Sequence, residues 1–476
     1  MSTAIVWFRR DLRLADHAAL VAACAAHARV LPLYVHAPDE EGEWSAGAAS
    51  RWWLHHALAA LDRSLRRRDG ALHLRHGDSL TALRELLAQT GATAVYVHRQ
   101  YEPAARSRDR RIAAALAEQG VAWHAFPASG WGDPWEVSTK QGEPYRVFTP
   151  FWRSLRAQLG TPSPQPVPAA SRLFEASGGS SLASLALLPR IGWDAGLAAA
   201  WTPGEDGAQA QLELFLDDAA AHYALGRDLP ARHGTSRLSP HLAFGEITPV
   251  QIQHALIQAA RQGGRQRPEV EPFLRELGWR EFGRHLLHHF PATPTRAFQP
   301  AFERMPWAQP DEATLQRWRH GRTGIPLVDA GMRELWHTGW MHNRVRMVVG
   351  SFLTKHLHLH WLHGARWFWD TLVDADLASN TLNWQWVAGT GADAAPYFRI
   401  FNPVTQSRKF DPDGVYLRRW LPELAAVGAV DLHEPWKVPG LLARSGYPAP
   451  MLDLAQERAR ALAAYQQMRA AAADPS

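Results

Sequence analysis

Five short apolar runs recur within the first 130 residues: Ala4 to Phe8, Val30 to Val35, Ala71 to Arg75, Ala94 to Val97 and Val121 to Phe126. Alanine-rich stretches of helical character separate them, His17 to Ala28 and Arg51 to Arg67 among these. No other feature restricts the fold as much. Strands joined by crossovers of helix length lie parallel, so residues 1–130 are expected to form a doubly wound α/β domain. The segment has neither a Gly-x-Gly-x-x-Gly turn nor a P-loop, which argues against a dinucleotide or nucleoside triphosphate site there.

The pattern then changes twice. Residues 131–203 turn to Pro, Ser, Gly and Ala, with Thr161-Pro162-Ser163-Pro164-Gln165-Pro166 and Ser177-Gly178-Gly179-Ser180 as the densest examples. This is linker chemistry, too long to dangle and so expected to run along the surface between two domains. From 204 to 476 a helical period takes over. Leu212, Phe215, Leu216, Ala219 and Tyr223 share one face, and Thr248-Pro249 before Ile252, Ala255, Leu256 and Ala259 reads as an N-cap followed by proline at the first helical position. A last helix spans Leu452 to Ala472. The expectation is an α/β domain, a linker and an all-α C-terminal domain, since 476 residues exceed one ordinary core.

Charge narrows the function only slightly. The chain carries 51 Lys and Arg against 46 Asp and Glu, a formal charge of +5, and an arginine-rich balance suits a phosphate-bearing partner. The 22 tryptophans suit either stacking and electron transfer or large helical cores. A single cysteine, Cys24, excludes an intrachain disulfide. No run of 18 apolar residues appears, so a soluble, cytoplasmic, monomeric protein without a membrane partner is expected.

Residues Asp374 to Pro403 concentrate the chemistry. On a helix Asn380 and Trp384 share a face, placing an amide beside an indole. Gly389, Gly391, Pro396 and Pro403 then break regular structure, as suits backbone wrapped round a ligand. A buried helix end and its exit loop would look the same. Two further sets are spaced i, i+3, i+4, i+7: Glu276, Trp279, Arg280 and Gly283, and Asn343, Arg346, Met347 and Gly350. Each puts polar, aromatic or sulfur groups beside a gap, a wall for a flat ligand with polar edges, and equally the pattern of an amphipathic helix with a solvated face. Gly234 to Ser239 offers hydroxyls and a guanidinium where Ser239-Pro240 opens a helix, an anion site or a plain cap. His356, His360 and His363 have a spacing that could bind zinc or nickel, but no acid or thiol completes the set. A Ser-His-Asp hydrolase lacks its Gly-x-Ser-x-Gly turn.

Several of these stretches together resemble the photolyase/cryptochrome family over nearly the whole chain, nearest to bacterial photolyases acting on cyclobutane pyrimidine dimers. They are Val6-Trp7-Phe8-Arg9-Arg10-Asp11-Leu12-Arg13-Leu14, Asp374 to Asn380 with Asn383-Trp384-Gln385-Trp386, Ala395 to Pro403, and Arg419-Trp420-Leu421-Pro422-Glu423-Leu424. The resemblance implies FAD in the helical domain, its diphosphate cradled by Thr235, Ser236, Arg237, Leu238 and Ser239 with Tyr223 nearby. Arg346, Asp374 and Asp376 would hold the flavin and ribityl chain, with Asn380 opposite the flavin N5. It implies UV-damaged DNA as partner, the dimer meeting Glu276, Trp279, Arg280, Asn343, Arg344, Met347 and Trp386, and the DNA backbone meeting Arg227 and Gln406. Trp307, Trp361 and Trp384 would relay electrons from surface to flavin. The implied reaction is light-driven transfer of an electron from reduced FAD to a flipped-out dimer, which then splits. Relatives that repair the (6-4) adduct carry a histidine pair where this chain has Trp340-Met341-His342-Asn343-Arg344, which disfavours that substrate.

In this family the α/β domain holds a second, light-harvesting chromophore. Folate-binding members have a glutamate shortly after Tyr-Glu, whereas Tyr101-Glu102 precedes Pro103-Ala104-Ala105, which argues mildly against folate and leaves the choice between methenyltetrahydrofolate and deazaflavin undecided. The alternative function is that of a cryptochrome, a blue-light sensor that binds FAD and repairs nothing. Glu276, Asn343 and Met347 disfavour it, as does the lack of a C-terminal extension.

Overall fold

The computed structural model describes residues 2–169, 172–262, 268–393 and 398–473. Five strands, β1 (Thr3–Phe8), β2 (Arg29–His36), β3 (His73–His76), β4 (Ala94–His98) and β5 (Ala122–Phe126), form one sheet in the order β3-β2-β1-β4-β5, with every pair parallel. All six residues of β1 are buried, as expected of a central parallel strand covered on both faces. Its side chains divide by the period of two. Ile5 and Trp7 join Leu31, Leu33, Leu83, Leu86 and Ile112 in one core, while Ala4, Val6 and Phe8 join Leu20, Trp52, Trp53 and Leu58 in another.

Helices longer than eight residues are α1 (Ala18–Ala26), α2 (Ala48–Arg66), α3 (Ser79–Thr90), α4 (Pro103–Ala117), α5 (Phe148–Gln158), α6 (Glu205–Asp217), α7 (Pro249–Gln262), α8 (Val270–His289), α9 (Pro326–Thr338), α10 (Asn343–Ser351), α11 (Trp361–Thr371), α12 (Leu377–Ala388) and α13 (Leu454–Ala473). No strand occurs after β5 among the described residues, and none of the helices there is long and apolar enough to cross a membrane.

Two stretches differ from the sequence reading. Residues 131–203 contain α5, which buries Phe148, Phe151, Trp152 and Leu155. The Pro- and Ser-rich composition around this aromatic face conceals it. The expected continuous face from Leu212 to Tyr223 is broken, because α6 ends at Asp217 and a 3-10 turn, Ala219–His222, follows. Leu212, Phe215 and Tyr223 still meet in one core.

The α/β and helical parts are locked by polar contacts. Trp53 Nε1 donates to Glu246 (2.9 Å), and Arg13 Nη1 donates to Ser129 Oγ (2.6 Å) and the Gly245 carbonyl (2.8 Å). At Gly47 the backbone passes α11 so closely that a Cβ would lie 2.4 Å from the Trp369 carbonyl. The start of α7 is a capping box: Gln251 N–H donates to Thr248 Oγ1 (3.0 Å) and Thr248 N–H to Gln251 Oε1 (2.9 Å). Thr248→Ala is expected to lower the unfolding free energy by about 1 kcal/mol, read from urea denaturation.

Candidate active site

Helix α12 carries the centre of the site. Asp376 is its N-cap, accepting from Ser379 N–H (2.7 Å), and Gly389 ends it in the left-handed region at φ 85°. Asn380 and Trp384 thereby come onto one face, and α10 presents Asn343, Arg346, Met347 and Gly350 toward it. With Phe368, Asp374, Asp376, Asn383 and Trp386 they surround a solvent-connected cavity of about 610 Å³.

Charge inside the cavity is paired. Arg346 grips Asp374 with two nitrogens (3.2 and 2.8 Å), Ser239 Oγ donates to the same carboxylate (2.7 Å), and Arg346 Nε donates to the Met341 carbonyl (2.7 Å). Burial works against ionisation of Asp376, but the nearby Arg280 and Arg284 charges and the Ser379 N–H outweigh it and hold the carboxyl below its usual range. Asn380 is buried and donates to the Ala365 carbonyl (3.1 Å), which fixes its amide plane. Behind α10, Glu334 accepts from His342 N–H (3.2 Å) and from Tyr416 OH (2.7 Å), anchoring the start of that helix. Burial pushes Glu334 up to about 7.

The Gly234 to Ser239 loop lies beside this wall. A Cβ at Gly234 would sit 2.2 Å from the Gly226 carbonyl, so only glycine permits the approach. Arg237, at φ 52°, lies over the Trp201 ring (4.3 Å) and near the Trp340 ring (5.3 Å), with no hydrogen-bond partner among the described residues. The helix opened by Ser239 spans only Ser239–Ala243, and the Ser239 hydroxyl is spent on Asp374 rather than on a cap. Leu238 is fully buried, and Ser236 Oγ accepts from its N–H (3.3 Å); Thr235 is half-buried beside them. Tyr223 packs in the aromatic cluster of Phe215 and Phe273.

The residues expected to meet substrate separate into groups. Asn343, Met347 and Trp386 line the cavity. Glu276 pairs with Arg227, and Arg344 with Asp228 (2.5 Å), both pairs partly exposed. Trp279 is stacked on Phe148 with centroids 3.6 Å apart and planes 10° apart. Arg280 turns to the domain junction, donating to the Ser129 and Leu242 carbonyls (3.0 Å each), because α8 packs that side against the 128–132 loop. Gln406 is half-buried on a short helix, Pro403–Phe410.

Trp384 is buried, 4.9 Å from Phe368 and 6.5 Å from Trp318, and its ring lies flat on α11 at Gly364, where a Cβ would be 2.0 Å from Cη2. Trp361, one turn earlier on α11, is fully buried, and Trp307 is partly buried. The spacing of His356, His360 and His363 does not survive, because a π-helical turn, Phe352–His356, ends before α11 begins. Asp11, His17 and His98 do converge, and hydrogen bonding accounts for them: His98 Nδ1 lies 2.7 Å from Asp11 and His17 Nδ1 accepts from Leu20 N–H (3.0 Å). Ala395, Pro396 and Tyr397 lie outside the described residues. Asp228, Glu334, Phe148 and Phe368 carry no local signal in the sequence, since their partners are remote; Asn383, three residues after Asn380, has one.

A parallel-sheet domain joined to a helical domain, with a cavity walled by indole, amides, paired carboxylates and guanidinium, defines a protein built round a flat polar cofactor. Comparison with known proteins identifies the group. The family described as FAD binding domain of DNA photolyase matches residues 273–467, and that described as DNA photolyase matches residues 4–169. A deoxyribodipyrimidine photo-lyase of Agrobacterium fabrum is 44% identical over 97% of both chains. Cryptochrome-1 of Arabidopsis thaliana is 39% identical over 98% of this chain and 70% of its own. A crystal structure of a class III photolyase from Agrobacterium tumefaciens superposes with a TM-score of 0.92 at 43% identity, covering 98% of each chain. The chain belongs to the photolyase/cryptochrome family. Its donor set fits FAD: hydroxyls and Arg237, whose guanidinium has no hydrogen-bond partner among the described residues, suit the diphosphate, Asp374 and Asp376 the ribityl hydroxyls, and Asn380 and Trp384 the ring system.

Proposed function

We propose that the protein is a deoxyribodipyrimidine photo-lyase that splits cyclobutane pyrimidine dimers in UV-damaged DNA under blue or near-ultraviolet light. The observation that carries this reading is the single cavity in which Asn343, Met347 and Trp386 face the Asp374, Asp376 and Asn380 set. Bound FAD would supply the light-driven electron. The chain's own residues do the rest. Asp374, fixed by Arg346 and Ser239, orients the cofactor. Asn343 offers its amide N–H to a carbonyl of a dimer, and the Glu276 carboxylate can accept from a pyrimidine N3–H. Trp386 offers a stacking face for a base taken out of the helix, and such extrusion is already the general mode of access for photolyases as a class. Arg227 and Arg344, now held by Glu276 and Asp228, can exchange those carboxylates for DNA phosphates, and their partial exposure makes the exchange inexpensive. That exchange would also free Glu276 to meet the dimer.

A second cavity, of about 510 Å³, lies at the carboxyl ends of β1 and β2, lined by Trp7, Arg10, Tyr34, Gln100, Arg108 and Phe244. Crevices outside the carboxyl ends of strands are where doubly wound sheets bind ligands, which supports this as the place of the light-harvesting chromophore.

The test is repair of a dimer-containing oligonucleotide by protein carrying reduced FAD, followed by recovery of thymine absorbance. Repair in light and none in darkness is expected; repair confined to (6-4) lesions, or equal in the dark, overturns the reading, and flavin bleaching without repair selects the cryptochrome function. Glu276→Ala is expected to lower the repair rate about tenfold while changing DNA affinity less, because the lost acceptor orients the dimer in the cavity, and a misplaced reacting group costs more in rate than in affinity.

A further inference from the structure

The two outer indoles of the relay share a neighbour that the family resemblance does not assign. The His360 ring lies 5.4 Å from Trp307 and 5.5 Å from Trp361, centroid to centroid. It is also the N-cap of α11, with Nδ1 accepting from Leu362 N–H (3.3 Å). The neutral ring therefore carries its proton on Nε2, and a second proton on Nδ1 would oppose the Leu362 N–H. Trp361 Nε1 is buried with no acceptor among the described residues. An oxidised Trp361 accordingly keeps its indole proton and its full positive charge, and is exposed to any charge on the imidazole beside it.

We propose that His360 is a tuning residue of the electron relay: neutral, it lets an electron vacancy pass from Trp361 to Trp307; protonated, it blocks that passage, so acid pH shuts off light-driven reduction of the flavin. The proposal rests on the relay reading of Trp384, Trp361 and Trp307. In that relay one electron leaves Trp384 for the photoexcited oxidised flavin, Trp361 refills Trp384, and Trp307 refills Trp361. An external thiol then refills Trp307, losing one electron to it and one proton to water. The charged groups that face His360 are His363 on its own helix and Glu303 from the Pro300–Arg304 turn. Burial and His363 hold its pKa below the ordinary histidine value, and Glu303 opposes them. Trp307 and Trp361 themselves bring no titratable charge.

The test uses holoprotein with oxidised FAD, blue light and dithiothreitol, and follows loss of flavin absorbance across pH, with His360→Asn as the variant because asparagine keeps the cap without a titrating ring. Beyond the decline with acid that the thiol donor gives to all variants alike, the wild type is expected to slow by a further factor of about ten between about pH 7.5 and 5, His363→Asn to do the same with its midpoint moved to higher pH, and His360→Asn to show no further decline. An NMR titration of the His360 ring in flavin-free protein should give the same midpoint as the rate profile. A wild-type pH profile in His360→Asn, or midpoints that disagree, overturns the proposal while leaving the relay intact. Full-rate photoreduction in Trp307→Phe at pH 7.5 instead removes the relay itself, and the proposal with it.

Discussion

Replacing Asp374 with alanine is expected to lower the unfolding free energy by about 2–4 kcal/mol and to abolish retention of FAD through purification. The carboxylate is only 4% exposed and accepts from both terminal nitrogens of Arg346 and from Ser239 Oγ. Its removal strands a guanidinium whose remaining hydrogen-bond partner among the described residues is the Met341 carbonyl, with the Trp340 ring 5.8 Å away. Arg346 is about one-quarter exposed (24%), so water recovers part of the loss, which places the effect below that of a fully buried pair. Asp374→Asn should cost less, since an amide retains the shape and one acceptor. Urea denaturation of flavin-free protein reads the stability term, and flavin content by absorbance reads the binding term. If the alanine variant unfolds at the wild-type urea midpoint, the pair with Arg346 contributes nothing to the fold.

Trp384→Ala should be more destabilising still, by about 3–5 kcal/mol. The indole is 4% exposed and fills the space above Gly364 and Gly350 against Phe368 and Trp318. The glycine surfaces beneath it have no side chain to close the hole, so the cavity would persist. Trp384→Phe removes far less volume and should fold with a small loss of melting temperature. Its functional loss should nevertheless be large, with thiol-dependent photoreduction of oxidised FAD falling to background while repair by chemically reduced protein continues. Photoreduction at the wild-type rate in Trp384→Phe would show that electrons reach the flavin by another path.

Much of this protein is legible in the order of its residues. The period-two split of β1, with Ile5 and Trp7 on one face and Ala4, Val6 and Phe8 on the other, follows from an apolar run short enough to be a strand. Thr248-Pro249 marks the start of α7, and Asp376 with Gly389 bounds α12, because caps act within four residues of the groups they satisfy. The juxtaposition of Asn380 with Trp384, and of Asn343 with Arg346, Met347 and Gly350, likewise follows from 3.6 residues per turn. Local periodicity shows which side chains share a face but not what that face meets. Only the packed helices joined Arg344 to Asp228, 116 residues away, sent Arg280 to a carbonyl 151 residues distant, and laid Trp279 on Phe148 instead of leaving both its faces open. The same holds for Arg346 with Asp374 and for His360 with Trp307. Such contacts depend on the angles and distances at which separate helices cross, and those are settled by apolar packing over the entire core, to which no short stretch of sequence has access.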